Sequence, residues 1–168
     1  MRNRDACYNP TTIINSKRGT PLFNPQQRLA RWAEYFQELL NPTHNCIENP
    51  TFVPKSHGQQ EPNFIPEEVK AVIQKSPKNK SPGPDGITAE AIQACGKTGI
   101  KWLTRIFNTA WEERKVPDDW QQAITVPIWK KKGNMRECET YRGISLLSHI
   151  GKMYAKLLEQ RARPIVEQ

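Results

Sequence analysis

The sequence predicts an α+β fold that is mainly helical and carries one short β-hairpin, preceded by a helix and a proline-rich linker. Three observations carry this expectation. Apolar residues recur at helical spacing in four stretches, around Leu29–Leu40, Val69–Ile73, Leu103–Trp111 and Ile150–Leu158. The run from Trp120 to Leu147, WQQAITVPIWKKKGNMRECETYRGISLL, sets two β-rich arms around three consecutive lysines and a Gly133-Asn134 turn signal. Most of the 14 prolines lie before residue 85, which gives the first half more loop than packed element.

Taken in order, residues 1–23 read as an extended lead-in, polar and broken by Pro10, Gly19 and Pro21, with Thr11 to Ile14 as a short β-like run. A helix is expected over 24–41. Asn24 suits the N-cap, Pro25 the first helical position and Gln27 the capping-box position. Leu29, Trp32, Ala33, Phe36, Leu39 and Leu40 then share one face, and Asn41-Pro42 stops the helix. Such a stripe is more simply a packing face than a ligand box. Residues 42–65 hold Pro42, Pro50, Pro54 and Pro62 with little periodicity; a structureless loop that long is unusual inside one domain, so a linker and a boundary are expected there.

Pro66-Glu67-Glu68 starts the next helix, its acids at the positive end of the dipole and Val69, Val72 and Ile73 on its apolar face, and Ser76-Pro77 ends it. In KNKSPGPDGITAE, residues 78–90, prolines fix φ while glycines allow backbone angles closed to other residues, so a rigid turn is expected. With Lys75, Lys78 and Lys80 nearby, it reads equally as a phosphate-facing loop or as a tight connector with solvated lysines. Thr88 caps a short helix through Cys95, and Gly96 to Gly99 is expected to break it. A longer helix follows from Ile100 to Lys115, with Leu103, Ile106, Phe107, Ala110 and Trp111 at i, i+3, i+4, i+7 and i+8. Val116 to Trp120 turns the chain. Ala123–Trp129 and Tyr141–Leu147 are the hairpin arms, Pro127 marking an edge strand or a strand end. Ser148 caps a last helix with Ile150, Met153, Tyr154, Leu157 and Leu158 on one face, which Pro164 ends or kinks.

Composition narrows the partners. Hydrophobic residues are 36% of the 168 and the formal charge is +8, with mean hydropathy −0.75 and pI about 9.5. From Lys97 onward 14 Lys and Arg face 8 Asp and Glu, a net of +6, whereas residues 1–96 carry 11 against 9, a net of +2. The surplus sits in the half with the hairpin, where Lys130, Lys131, Lys132 and Arg142 would line one rim and favour polyanions. Cys7, Cys46, Cys95 and Cys138 are 39, 49 and 43 residues apart, form no CxxC pair and have only His44, His57 and His149 beside them, a poor pattern for zinc. No apolar leader opens the chain and no run approaches the roughly 18 apolar residues of a membrane helix. Reduced thiols in a soluble intracellular protein, without a membrane, are expected.

Four pieces in register, SPGPDGITAEAI, IKWLTRIFNTAWEERKVPDDW, AITVPIWKKKG and YRGISLLSHIGKMYAKLLEQR, resemble the fingers region of the reverse transcriptase of non-LTR, LINE-type retrotransposons. The resemblance covers residues 67–163. It implies a fingers subdomain of a right-hand polymerase over 66–168, an RNA-directed DNA polymerase that uses Mg²⁺ in its full-length form, and an RNA template or RNA/DNA hybrid with an incoming dNTP as partners. The helix RLARWAEYFQELLN, within 24–41, is similar to the segment joining an upstream endonuclease to the polymerase. By the same resemblance, Lys130 or Lys132 and Arg142 contact triphosphate or template phosphate, and Lys80, Gly83, Asp85 and Gly86 belong to a template-side loop. Guanidinium suits bidentate phosphate recognition and lysine supplies a movable point charge. Many relatives carry proline where Gly143 stands.

Polymerase chemistry needs carboxylates holding two divalent metals about 3.5–4 Å apart. In this family they come from the palm, beyond residue 168, and the resemblance places Asp118-Asp119 in a turn before the fingers strand. No catalytic and no metal-binding residue is therefore expected, and these residues by themselves should be inert, lacking the palm as partner. The alternative is a stand-alone basic RNA- or DNA-binding module. A helical interaction protein using the Trp32/Phe36 and Trp102/Phe107/Trp111 faces is the third reading, those faces being more simply core or surfaces normally covered by the palm.

Overall fold

A computed structural model describes residues 13–41 and 62–167. They fall into two units. The first holds residues 13–41 and Thr125–Ile144, and the second holds residues 62–124 and 145–167.

The first unit starts with a hairpin, β1 (Ile14–Asn15) and β2 (Pro21–Leu22), paired antiparallel with Ile14 opposite Leu22. The described part of the expected extended lead-in is thus folded, and Ile14 is fully buried. Helix α1 (Pro25–Leu40) follows, with the Asn24 side chain accepting the Gln26 N–H at 2.8 Å and Pro25 in the first turn. Of the six residues of its apolar stripe only Trp32 and Phe36 are buried, and Leu29, Leu39 and Leu40 are exposed. The aromatic pair, not the full stripe, makes the contact. Strand β3 (Ala123–Trp129) and strand β4 (Tyr141–Leu147) form the second antiparallel pair, with the bounds expected from their composition. Ile14, Trp32, Phe36, Cys138 and Tyr141 make one core, with Leu22, Tyr35 and Trp129 packed against it. The expected linker falls almost wholly in residues 42–61, outside the described residues.

The second unit is helical. Helix α2 (Pro66–Lys75) buries Val69, Val72 and Ile73, and the Glu68 carboxylate accepts the Ile65 N–H at 2.9 Å. Thr88 caps α3 (Ala89–Ala94), accepting the Ala91 N–H at 3.2 Å. Helix α4 spans Gly96–Glu112, so the expected break at Gly96 to Gly99 is confined to Cys95 and to Gly96, whose φ is +58°. After one short turn, α5 (Asp118–Gln121), and the hairpin arms, α6 (His149–Val166) completes the unit; the Ser148 side chain caps it and Pro164 lies within it. The core joins Phe64, Val69, Val72, Ile73, Ile92, Leu103, Phe107, Ala110, Met153, Tyr154 and Leu157. Asn108 pins the approach to α2 by accepting the Phe64 N–H at 2.7 Å and donating to the Phe64 carbonyl at 3.0 Å. Arg161 lays its guanidinium 4.0 Å from the Phe64 ring centroid and reaches Glu68 at 3.3 Å. Among the described residues no helix is long and apolar enough to cross a membrane.

Helix α4 ends three residues before the expected Lys115, in a motif that turns the chain. Arg114 N–H donates to the Trp111 carbonyl at 3.3 Å and Lys115 N–H to the Ala110 carbonyl at 3.2 Å, with Arg114 at φ +52°. Glycine usually holds that position, because an L side chain is strained there. Arg114→Gly is expected to raise stability by about 0.5–1 kcal/mol in urea unfolding; a loss of stability would show that the Arg114 side chain is held by contacts that outweigh the strain.

Candidate nucleic-acid interface

The basic hairpin is built on α1. Trp32 meets Tyr141 edge-on at 4.9 Å between ring centroids and stacks on Phe36 at 5.8 Å. Gly143 carries no side chain where one would collide: a Cβ there would lie 2.8 Å from Phe36 Cε1 and 3.0 Å from Thr125 Cγ2. A helix that the sequence left unplaced is therefore part of the hairpin's support. The β1 residue Asn15 adds to it, its N–H donating to the Arg136 carbonyl at 2.7 Å and its side-chain amide to Glu137 at 2.7 Å.

Between the arms, residues 130–140 are wound rather than looped out. Lys130 N–H donates to the Thr140 carbonyl at 2.9 Å, closing the pair beyond β3. The Gly133-Asn134 signal opens a longer connection, in which Asn134 Oδ1 accepts the Arg136 N–H at 3.0 Å and a single 3₁₀ turn, Cys138–Thr140, leads into β4. The Tyr141 hydroxyl donates to the Met135 carbonyl at 2.9 Å. Cys138 sits beneath this connection as a core residue, and burial pushes its thiol above the usual range.

Charge collects on this frame. Residues 130–142 contain Lys130, Lys131, Lys132, Arg136 and Arg142 against Glu137 and Glu139. Lys130 Nζ donates to the Glu139 carbonyl at 2.9 Å, so it is partly committed to the hairpin itself. Lys132 and Arg142 are exposed and make no ion pair among the described residues. Arg136, which the sequence reading did not single out, is a further exposed cation there; its signal was its place between two β arms. Lys131 takes φ +60°, a conformation rare outside glycine, so the backbone departs from the strand path just after β3.

The residues of the other expected site lie in the second unit. Gly83 to Gly86 is a turn closed by the Gly86 N–H on the Gly83 carbonyl at 3.1 Å, with Gly86 at φ +67°. Asp85 accepts the Ile87 N–H at 3.1 Å, as its place in a Pro-Asp-Gly turn suggests. Gly83 is buried against the start of α6: a Cβ would meet Ser148 N at 2.5 Å and the Leu147 carbonyl carbon at 2.6 Å. Lys80 is exposed. Ahead of the turn, the Asn79 N–H donates to Glu90, and that bond holds the Glu90 carboxyl below the usual carboxylate range. Asp118 and Asp119 stand exposed in the first turn of α5.

The chain is 35% identical over 104 residues to a probable RNA-directed DNA polymerase from the transposon X-element of Drosophila melanogaster, covering 62% of this chain and 12% of that protein. It is 32% identical over 95 residues to the RNA-directed DNA polymerase from the mobile element jockey of the same species, covering 56% of this chain and 10% of that protein. The chain is a relative of non-LTR retrotransposon reverse transcriptases. A longer similarity is to the uncharacterized 149 kDa protein of the transposon TX1 of Xenopus laevis, 27% identical over 165 residues, covering 94% of this chain and 12% of that protein. The chain thus spans about an eighth of the length of the curated relatives it matches. No protein-family model matches it.

Proposed function

We propose that these residues form the fingers of an RNA-directed DNA polymerase, with the 130–142 hairpin holding phosphates of the template and the incoming dNTP. The observation that carries the reading is the exposure of Lys132 and Arg142, without ion pairs among the described residues, on a hairpin braced by Trp32, Phe36 and Tyr141. A cation held on a rigid frame loses little freedom on meeting a phosphate, and a guanidinium can engage two of its oxygens at once. A nucleic-acid partner is supported by the similarity to RNA-directed DNA polymerases of mobile elements. Lys130 sits at the end of the paired strands, where its ammonium can exchange the Glu139 carbonyl for a phosphate oxygen.

Within this reading the turn at Gly83 to Gly86 lines the template side with Lys80, while Gly83, Asp85 and Gly86 set its shape. Mg²⁺ belongs to the full-length family enzyme, whose palm carboxylates would hold it. The purified 168 residues are accordingly expected to give no primer extension on an RNA template with dNTPs and Mg²⁺ or Mn²⁺. Template-dependent product in a gel assay would sink the division between grip and reaction centre.

A further inference from the structure

We infer that the second unit carries a separate nucleotide-phosphate site, in the open cleft formed by α2, the segment after it, α3 and the start of α4. The cleft has a volume of about 410 Å³, within the range of roughly 300–1,000 Å³ that small-molecule sites occupy. It is distinct from the hairpin, since all its lining residues fall in residues 62–124.

Its chemistry is one-sided. Lys70 of α2, Lys78 of the following segment and Lys97 of α4 line it, and no carboxylate does. All three lysines are exposed and make no ion pair among the described residues. The charged group near Lys78 from outside the cleft lining is Glu90, whose carboxylate accepts the Asn79 N–H and is not among the lining residues. Gly96, the first residue of α4, also lines the cleft, and α4 begins with no side-chain cap and no acid in its first turn. The positive end of a 17-residue helix therefore adds to the lysines where an anion would gain most.

The floor separates a nucleotide from a bare anion. Ile73 and Ile92 are buried members of the core and Ile100 packs against it, so the cleft has an apolar base under a cationic rim. A nucleobase fits the first and its phosphates the second. The width is fixed by Gln93, whose amide nitrogen lies 3.0 Å from the Ile73 carbonyl and 3.3 Å from the Ser76 carbonyl, tying the end of α2 to α3.

The phosphate's source, a free nucleoside triphosphate or a single strand, is separated by two probes on the full chain: ATP, and fluorescein-labelled (dT)₁₂. Anisotropy and amide NMR shifts report binding, and circular dichroism reports the fold of every variant. Lys70→Ala/Lys78→Ala/Lys97→Ala should weaken at least one probe about tenfold at low salt, while Lys101→Ala/Lys115→Ala/Lys152→Ala, which removes equal charge from the same unit, should change it less than about twofold. Shifts at Ile92, Gly96 and Lys97 with ATP identify a free nucleotide, and shifts only with (dT)₁₂ identify a strand. These shifts should persist in Lys132→Ala/Arg142→Ala, so failure of the hairpin reading leaves the cleft standing. Equal losses in the two triple variants, an unchanged cleft variant, or no cleft shift with either probe would overturn the inference.

Discussion

Trp32→Ala should free the hairpin from its support, with a loss of about 3–5 kcal/mol, the usual cost of truncating a buried Trp or Phe. Trp32 is 7% exposed, and its ring touches Tyr35, Phe36 and Tyr141. Because whole domains are stable by only about 5–15 kcal/mol, such a loss would leave the first unit largely open. Hydrogen exchange is the direct readout. The Lys130 and Asn15 amides, which donate to Thr140 and Arg136, should exchange fast in the variant while the Phe64 amide in the second unit, which donates to Asn108, stays protected. Unchanged protection at Lys130 and Asn15 would show that α1 does not brace the hairpin.

The second large effect is expected at Gly83→Ala. The new methyl would meet backbone atoms, Ser148 N at 2.5 Å and the Leu147 carbonyl carbon at 2.6 Å, and neither can swing aside as a side-chain tip would. The turn must then lift from the start of α6, a strain of about 1–3 kcal/mol. Each kcal/mol lowers Tm by about 4–8 °C in a unit of this size. Gly86→Ala in the same turn is the control. It has open space around it and suffers only from φ +67°, about 1–2 kcal/mol, without parting the turn from α6. Amide shifts at Ser148 and His149 should therefore move with Gly83→Ala and stay with Gly86→Ala; similar shifts in both would mean that the close approach is not what requires glycine at residue 83.

Local signals in the sequence reach as far as single elements. Asn24-Pro25, Pro66-Glu67-Glu68, Thr88 and Ser148 each start a helix in the structure, since a cap acts within one turn of the residue that makes it. The hairpin arms were legible from β-rich composition alone. What escaped depends on partners distant in sequence. Nothing near Ile14 says that it will be buried beside Trp32 and Cys138, and helical spacing gave Leu29, Leu39 and Leu40 the same rank as Trp32 and Phe36 although the unit covers only the aromatic pair. Gly96 and Gly99 were weak evidence for a break, because α4 is held along its length by Leu103, Phe107 and Ala110 in the core and tolerates a poor first turn. At the site, the basic residues were legible as composition, but the tie of Lys130 to the Glu139 carbonyl and the bracing by Phe36 at Gly143 come only with the fold.

If the hairpin cations meet phosphates, the salt dependence of single-strand binding reads it most directly. Each neutralised phosphate on a single strand contributes about −0.7 to the slope of log K against log salt. If Lys130, Lys132 and Arg142 each hold one, their replacement by alanine together should flatten the slope for a single-stranded RNA by about 2. Circular dichroism should stay unchanged, since all three side chains are exposed. A triple variant that binds with the slope and affinity of the original chain would contradict the account.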